Sequence, residues 1–349
     1  MRILIATTQV PFIRGGAELL AEGLQDALRA AGHEAEIVNI PFRWYPPEKI
    51  LDHLLACRLL DVTEFAGTPI DLLIGLKFPA YLIKHPNKVL WILHQHRTAY
   101  DLWDHATLGD LIHSPRGIEV RDAIRRADQQ LIPEARAVFA LSENVAKRLE
   151  NFCGITSAPL YPPPPEAEKF YSAPAEDYLF FPSRLSQPKR QSLVLEALRL
   201  TREPVQVRFA GTADTLSYAA ELQTLAARLR VDARCAWLGA ITEEEKRRLY
   251  ALALGVIFPP VDEDYGYVTL EAMLAAKPVI TCADSGGPLE FVRAGETGFV
   301  AAPTPESLAK AMDELWRDRA RAKLFGEQGL ARYRALDIGW PKLIGKLLA

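Results

Sequence analysis

The chain is poor in cysteine and has no long apolar run. Its four cysteines in 349 residues, Cys57, Cys153, Cys235 and Cys282, stand far apart and form no C-x-x-C pair. That spacing excludes a zinc ribbon and a dithiol redox motif, and the thiols are expected to be reduced and buried, as in a cytoplasmic protein. Nowhere do the ~18 consecutive apolar residues of a membrane-spanning helix occur, which leaves only peripheral membrane contact open. Met1 to Ala6 turns polar by Thr7, too soon for the apolar core of a signal peptide, and reads as a strand. Neither sign of charge prevails: 41 Lys+Arg against 44 Asp+Glu leave a formal net charge of -3. With no global positive field, nucleic acid is not an expected partner, and any anion must be bound locally. No G-x-G-x-x-G follows the first strand, which removes the dinucleotide fingerprint, and no repeat of solenoid period occurs.

What is present is ample apolar material, 49% hydrophobic against 24% charged residues, in a chain long enough for two domains at roughly 150 residues each. Short apolar runs alternate with amphipathic stretches throughout, the pattern of parallel sheets covered by helices, so the class is α/β. Arg2–Ala6 reads as a strand, followed by a turn through Pro11 to Gly16 and a helix that Gly32 stops. Further strands are expected at Glu36–Ile40, Asp71–Ile74, Lys88–Leu93 and Ala137–Leu141, the last entering a helix capped by Ser142. The four prolines that follow Tyr161 lack amide donors and mark a hinge. A second series of strands follows at Tyr178–Pro182, Val205–Ala210, Arg234–Leu238, Val256–Pro259, Pro278–Thr281 and Phe299–Ala301. Two doubly wound, Rossmann-like domains are therefore expected, 1–161 and 162–331, with a last helix at about 332–349 packing back on the first. They would face each other across a cleft between the C-terminal edges of their sheets, where open α/β sheets bind ligands.

Four loops at strand ends carry candidate chemistry. In the first, Pro259 to Met273, a strand gives way to a polar loop with a glycine, Gly266, and then to a helix beginning near Val268. The amides of Tyr267 and Val268 at that helix N-terminus suit phosphate oxygens. Glu271 in the first turn could accept hydrogen bonds from ribose hydroxyls and Glu263 from sugar hydroxyls, although acidic capping accounts for a first-turn carboxylate equally well. The second loop, Ser183 to Arg190, offers Arg184 and Lys189 to a diphosphate, where basic loop residues are otherwise merely solvated. In the third, Gly15-Gly16 permits close approach of a ligand to the backbone or simply shapes a turn. The fourth is Trp91 to Arg97. All seven histidines fall in the first third of the chain, yet no carboxylate stands at a ligand spacing to His94-Gln95-His96, and a structural histidine is the plainer reading than a metal ligand. His96, Arg97 and Asp101 are acceptor-side candidates. Trp237 reads as core, and Arg121, Arg125 and Arg126 as a solvated helix face or a contact for anionic lipid heads.

Two glutamates with seven residues between them, Glu263 and Glu271, resemble the E-x7-E motif of the retaining GT-B glycosyltransferases of family 4. Ala276 to Ile280, Gly286 to Val292 and Gly295 to Phe299 follow that family's order, and Ser183-Arg184-Leu185 with Lys189 resembles its Gly-Arg-Leu…Lys-Gly segment, with Ser183 in place of a glycine. Gly15-Gly16-Ala17-Glu18 resembles its Gly-Gly-x-Glu. The resemblance implies that Glu263 contacts the donor sugar, Glu271 the nucleotide ribose and His94 the sugar. It further implies that Arg184, Lys189 and the Gly15-Gly16 amides oppose the charge of the diphosphate. The expectation is a retaining hexosyltransferase that uses a UDP- or GDP-linked sugar and a hydroxyl acceptor on a glycan, glycolipid or small molecule. No cofactor or metal is expected, since no Asp-x-Asp motif follows a strand near the hinge. A nucleotide-sugar epimerase or phosphorylase of the same architecture and a non-catalytic nucleotide-sugar binding protein are the alternatives. Peripheral contact with the inner membrane face applies if the acceptor is lipid-linked.

Overall fold

A computed structural model describes residues 1–12 and 15–349. The chain divides into two units, Met1–Pro165 with Ile338–Ala349, and Glu166–Asp337. The first change of unit comes four residues later than the 161/162 boundary read from the sequence, because the prolines stay with the first unit. In the turn expected at Pro11 to Gly16, residues 13 and 14 lie outside the described residues.

The first unit is built on β1 (Arg2–Gln9), α1 (Gly16–Ala30), β2 (Glu34–Pro41) and α2 (Lys49–Leu59). It continues through β3 (Leu72–Lys77), β4 (Lys88–His94), α3 (Gly117–Leu131), β5 (Ala137–Ala140), α4 (Glu143–Cys153) and the short β6 (Ala158–Pro159). The strands lie in the order β2-β1-β3-β4-β5-β6, all parallel. Because helices cover both faces, the central strands are apolar at nearly every position, as in Leu-Leu-Ile-Gly-Leu of β3. Gly32, φ +87°, ends the first helical segment as expected, and the Ser142 hydroxyl accepts from the Val145 amide. Within the same unit a final helix, Trp340–Leu348, sets the Trp340 ring edge-on to Trp91 at 6.4 Å.

The second unit runs β7 (Leu179–Pro182), α5 (Gln191–Leu200), β8 (Val207–Ala210), α6 (Leu216–Leu229), β9 (Cys235–Trp237), α7 (Glu243–Leu252) and β10 (Gly255–Ile257). Then come α8 (Tyr267–Leu274), β11 (Val279–Cys282), α9 (Pro288–Phe291), β12 (Gly298–Ala301), α10 (Pro305–Arg317) and α11 (Arg319–Ala335). The order is β9-β8-β7-β10-β11-β12, again all parallel. Pleating sends Phe181, Ile257 and Ile280 into one core and their neighbours Phe180, Val256 and Val279 into the other. The order reverses between β7 and β10. At such a switch point the connections leave in opposite directions and open a crevice at the carboxyl ends of the strands.

Candidate functional site

Two of the candidate loops leave β7 and β10 side by side and are tied together, the Val261 amide donating to Pro188 O at 2.8 Å. Lys189 Nζ reaches Glu263 Oε2 at 2.5 Å and stands 5.4 Å from the centre of the Phe258 ring. Both members of this pair are largely enclosed, 17% and 22% of their side chains being accessible. Arg184 turns to the loop after β8 and pairs with Asp214 at 2.5 Å, with half of its side chain in solvent. The two cations expected at one diphosphate are thus each held by a different carboxylate. Arg190 is held by both oxygens of Asp284, at 2.8 and 2.6 Å. Two non-glycine residues in the left-handed region, Arg190 (φ +59°) and Asp262 (φ +41°), lie in these loops, a strain that surrounding contacts must maintain.

The loop after β10 is zipped to the segment after β11. Asp262 and Glu263 amides donate to Asp284 O and Ser285 O, and the Gly287 amide returns a bond to Glu263 O at 2.7 Å. A Cβ at Gly287 would come within 2.7 Å of Tyr265 Cα, so only glycine permits the approach. Gly266, φ +83°, then turns the chain into α8. The helix starts at Tyr267, one residue before the expected Val268. The amides of Tyr267 and Val268 have no acceptor among the described residues, which leaves two donors and the positive end of the helix dipole at this point.

Glu271 corrects one expectation. It is the fifth residue of α8, past the first turn, so acidic capping does not explain it. Only 5% exposed, it accepts from Tyr250 Oη at 2.7 Å and Lys246 Nζ at 3.0 Å, both on α7. Burial lowers the Lys246 ammonium, but Glu271 and Glu243 outweigh it and hold the group above its ordinary value. Burial first and Glu271 second push the Tyr250 and Tyr267 phenols well above theirs.

In the first unit, the Gly15 amide donates to Glu18 Oε2 at 2.8 Å, and Glu18 Oε1 pairs with Lys77 Nζ at 3.1 Å. Gly15 is therefore engaged by its own helix, while the amides of Gly16 and Ala17 have no acceptor among the described residues. His94 ends β4 with its Nδ1 at 2.8 Å from Gln95 O. His96 packs against the rings of Phe42 and Phe78, and burial pushes its imidazole down to about 4. Arg97 and Asp101, expected on the acceptor side, bind each other through two bonds of 2.8 and 2.6 Å. Arg121 lies over the Trp103 ring at 4.2 Å and Arg125 near Tyr100, so the basic face of α3 is not simply solvated. Two of the four free thiols, Cys153 and Cys235, are half-buried instead of buried.

Sequence reasoning missed Lys246, Tyr250, Asp214, Asp284, Lys77 and the buried Asp128, which accepts from Tyr81, Tyr100 and Gln95. Each partner comes from an element distant in sequence, and no local spacing announces it. Trp237 stacks on Phe209 with ring centres 4.4 Å apart. Among the described residues no three His, Cys, Asp or Glu side chains gather as metal ligands, and no helix is long and apolar enough to cross a membrane.

Residues 165–332 match the sequence model of the family described as glycosyl transferases group 1. The alpha-1,3/1,6-mannosyltransferase ALG2 of Dictyostelium discoideum is 33% identical over 136 residues, which are 38% of this chain and 32% of that protein. Human ALG2 is 30% identical over 165 residues, 44% of this chain and 39% of that protein. The chain thus spans about a third of the first and about two fifths of the second of these relatives. Among solved structures, sucrose-phosphate synthase from Thermosynechococcus elongatus aligns with a TM-score of 0.81 at 18% identity, over 100% of this chain and 98% of that one. HepE of Anabaena in complex with UDP-glucose aligns with a TM-score of 0.72 at 18% identity, with the same coverage. At such identities the likeness is one of fold, and the fold is GT-B.

Proposed function

Because residues 165–332 match the group 1 glycosyl transferase model within a GT-B fold, we propose that this protein is a retaining hexosyltransferase, which moves a hexose from a UDP- or GDP-linked sugar to an acceptor hydroxyl. The observation that carries the reading is the enclosed Lys189–Glu263 pair at the switch point of the second sheet, beside a helix N-terminus with two unengaged amides. An incoming diphosphate competes with Glu263 for Lys189 and with Asp214 for Arg184. It thereby releases Glu263 to accept from hydroxyls of the sugar. Lys189, Arg184 and the amides of Tyr267 and Val268 then oppose the charge that grows on the leaving oxygen.

Glu271 takes the ribose hydroxyls. A carboxylate has about four lone-pair sites, and Tyr250 and Lys246 occupy two of them. In the first unit, the Gly16 amide serves the donor phosphate, with Gly15 as the helix cap behind it, and His94 serves the sugar. The new bond joins the acceptor oxygen to the anomeric carbon on the face from which the phosphate departs, and the departing phosphate takes the acceptor proton. Two cations and a helix terminus supply the positive charge, so no metal is required. The four free thiols fit a cytoplasmic location.

Calorimetry with UDP-, GDP- and ADP-linked hexoses, followed by NMR of the product's anomeric proton, tests the proposal. Binding of a donor and a product with the donor's anomeric configuration support it. An inverted product, an epimerised donor, or donor binding with no turnover on any acceptor contradicts it.

A further inference from the structure

Lys277, just beyond α8, is buried, and no step proposed above uses it. The turn that carries it inward is strained: Ala276 follows the helix in the left-handed region at φ +51°, and the Lys277 amide folds back on Ala272 O at 2.8 Å. Helix α11 lies hard against this turn, since a Cβ at Gly326 would come within 2.0 Å of Ala276 O. With 5% of its surface accessible, Lys277 has one side-chain hydrogen-bond partner among the described residues, Ala173 O, 2.9 Å from its Nζ. Resting on the ribose role given to Glu271 above, we propose that Lys277 is a positioning residue for nucleotide binding: it fastens the segment from Phe170 to Glu176 onto α7 and so holds in place Lys246 and Tyr250, the two groups that grip Glu271.

Contacts along the segment support this route. The Ala173 amide donates to Ala251 O at 3.1 Å and the Glu176 amide to Leu252 O at 2.7 Å, so the segment satisfies carbonyls that the last turn of α7 leaves without helical partners. Ala173 is therefore gripped from two sides, its amide on α7 and its carbonyl on Lys277. Three residues earlier, the Phe170 ring meets that of Tyr250 edge to face at 5.7 Å. Lys246 stands one turn before Tyr250, and from these two positions α7 reaches the two oxygens of Glu271, at 3.0 and 2.7 Å. Loss of the Tyr250 hydroxyl alone spares the Lys246 contact, whereas loosening the segment frees the end of the helix that presents both.

An apolar residue at position 277 would avoid desolvating an ammonium, and burial lowers that group from its ordinary value to about 8. The charged side chains on the elements packed around it are engaged elsewhere: Glu271 with Lys246, Glu176 with Arg208, Asp177 with Arg319 and Lys323 with Glu327. Burial is thus the one cause of the shift. What the ammonium gains in return is a charge-assisted bond to a carbonyl, roughly twice as strong as a neutral one. Deprotonation weakens that bond, so nucleotide affinity should be greatest below about pH 8 and decline above it.

Calorimetric titration of UDP and GDP into the full chain from about pH 7 to about pH 9 tests the inference, a window above the ~6 at which a terminal phosphate finishes ionising. The wild-type Kd should rise as pH passes about 8. Lys277→Met, which keeps an apolar chain in the same space, should raise Kd about fivefold at the lower pH, within the ~2- to 30-fold range of residues that act through others, and should lose the rise. Phe170→Ala, which keeps the lysine but removes the ring that meets Tyr250, should raise Kd by a similar factor. This variant and the wild-type profile decide the matter if Lys277→Met does not fold. A wild-type Kd flat through pH 8, a rise shared by Lys277→Met, or unchanged affinity in either variant overturns the inference, and nucleotide binding by the wild type leaves the donor reading standing. A wild type that binds neither UDP nor GDP sinks the donor reading, and the inference falls with it.

Discussion

Glu271 engages both carboxylate oxygens inside the second unit, so removing it has two separable effects. Glu271→Ala leaves Lys246 still paired with Glu243 at 2.7 Å but strands the Tyr250 hydroxyl. A stability loss of about 2–3 kcal/mol is expected, toward the low end for a broken buried pair. Affinity for the free nucleoside diphosphate should fall by about 1.5–3 kcal/mol if the ribose contact exists. Tyr250→Phe is the control: it should cost about 1 kcal/mol of stability in urea and leave nucleotide affinity unchanged by calorimetry. Equal affinity losses in the two variants would show that Glu271 acts only through packing.

Asp128 gives the first unit a titration of its own. It is fully buried, and burial raises its carboxyl to about 6 from 3.8 against the opposing hydrogen bonds of Tyr100, Tyr81 and Gln95. A folded-state value above the unfolded one favours the protonated form on folding. The stabilisation is complete below about pH 4 and is lost as pH rises through about 6. His96 runs the other way, its value lowered to about 4 by burial, so its contribution is lost as pH falls from about 6.5. The difference between wild type and Asp128→Asn isolates the carboxyl. The variant should gain about 2–3 kcal/mol relative to wild type between pH 4 and 6, read by denaturant melts across that range. A flat difference would contradict the assignment.

At the scale of elements, the site depends on how two loops and a helix start are held. Gly287→Ala would drive a Cβ into the Tyr265 backbone and unzip the loop that carries Glu263, whereas Gly295, φ +78°, has nothing within 4 Å of an added Cβ. Gly295→Ala should therefore cost only the ~1–2 kcal/mol of a left-handed residue. Gly287→Ala should cost more and reduce donor affinity with it, as paired melts and titrations would show. Similar losses in both would mean that the zipped loop is not what positions Glu263.

These elements also show what the sequence makes legible. The helix stop at Gly32 and the cap at Ser142 follow from local chemistry, and both are where they were expected. The loops at the ends of β7 and β10 could be assigned because apolar runs interrupted by glycine and charge mark strand ends. Their neighbourhood in the sheet, and hence the Lys189–Glu263 pair across 74 residues, is set by topology. Asp214 on Arg184 and Lys246 on Glu271 were hidden for the same reason, since solvated charge and buried partner look alike in sequence. The fifth-residue position of Glu271 was misjudged because a left-handed glycine lets the helix begin one residue sooner.

For the whole molecule, the GT-B fold and the match of residues 165–332 to the group 1 glycosyl transferase model narrow the chemistry, and the charges already present set its terms. Asp262-Glu263-Asp264 has Asp-x-Asp spacing after β10, but Lys189 already sits on Glu263. Turnover should accordingly survive EDTA, and activity lost on chelation and restored by magnesium or manganese would contradict metal independence.

The most direct test of leaving-group stabilisation by Lys189 and Arg184 is steady-state kinetics of wild type, Arg184→Ala, Lys189→Ala and the double variant on the donor that calorimetry selects. Each single change should lower kcat more than it raises donor KM, because the charge on the leaving oxygen peaks in the transition state. The loss in kcat/KM should be about 2–4 kcal/mol for enclosed Lys189 and smaller for Arg184, half of whose side chain is in solvent. If both cations address one diphosphate, as proposed, the double variant should lose less than the sum of the singles. Strictly additive losses, or raised KM with kcat intact, would contradict the claim that the two residues jointly stabilise the departing diphosphate.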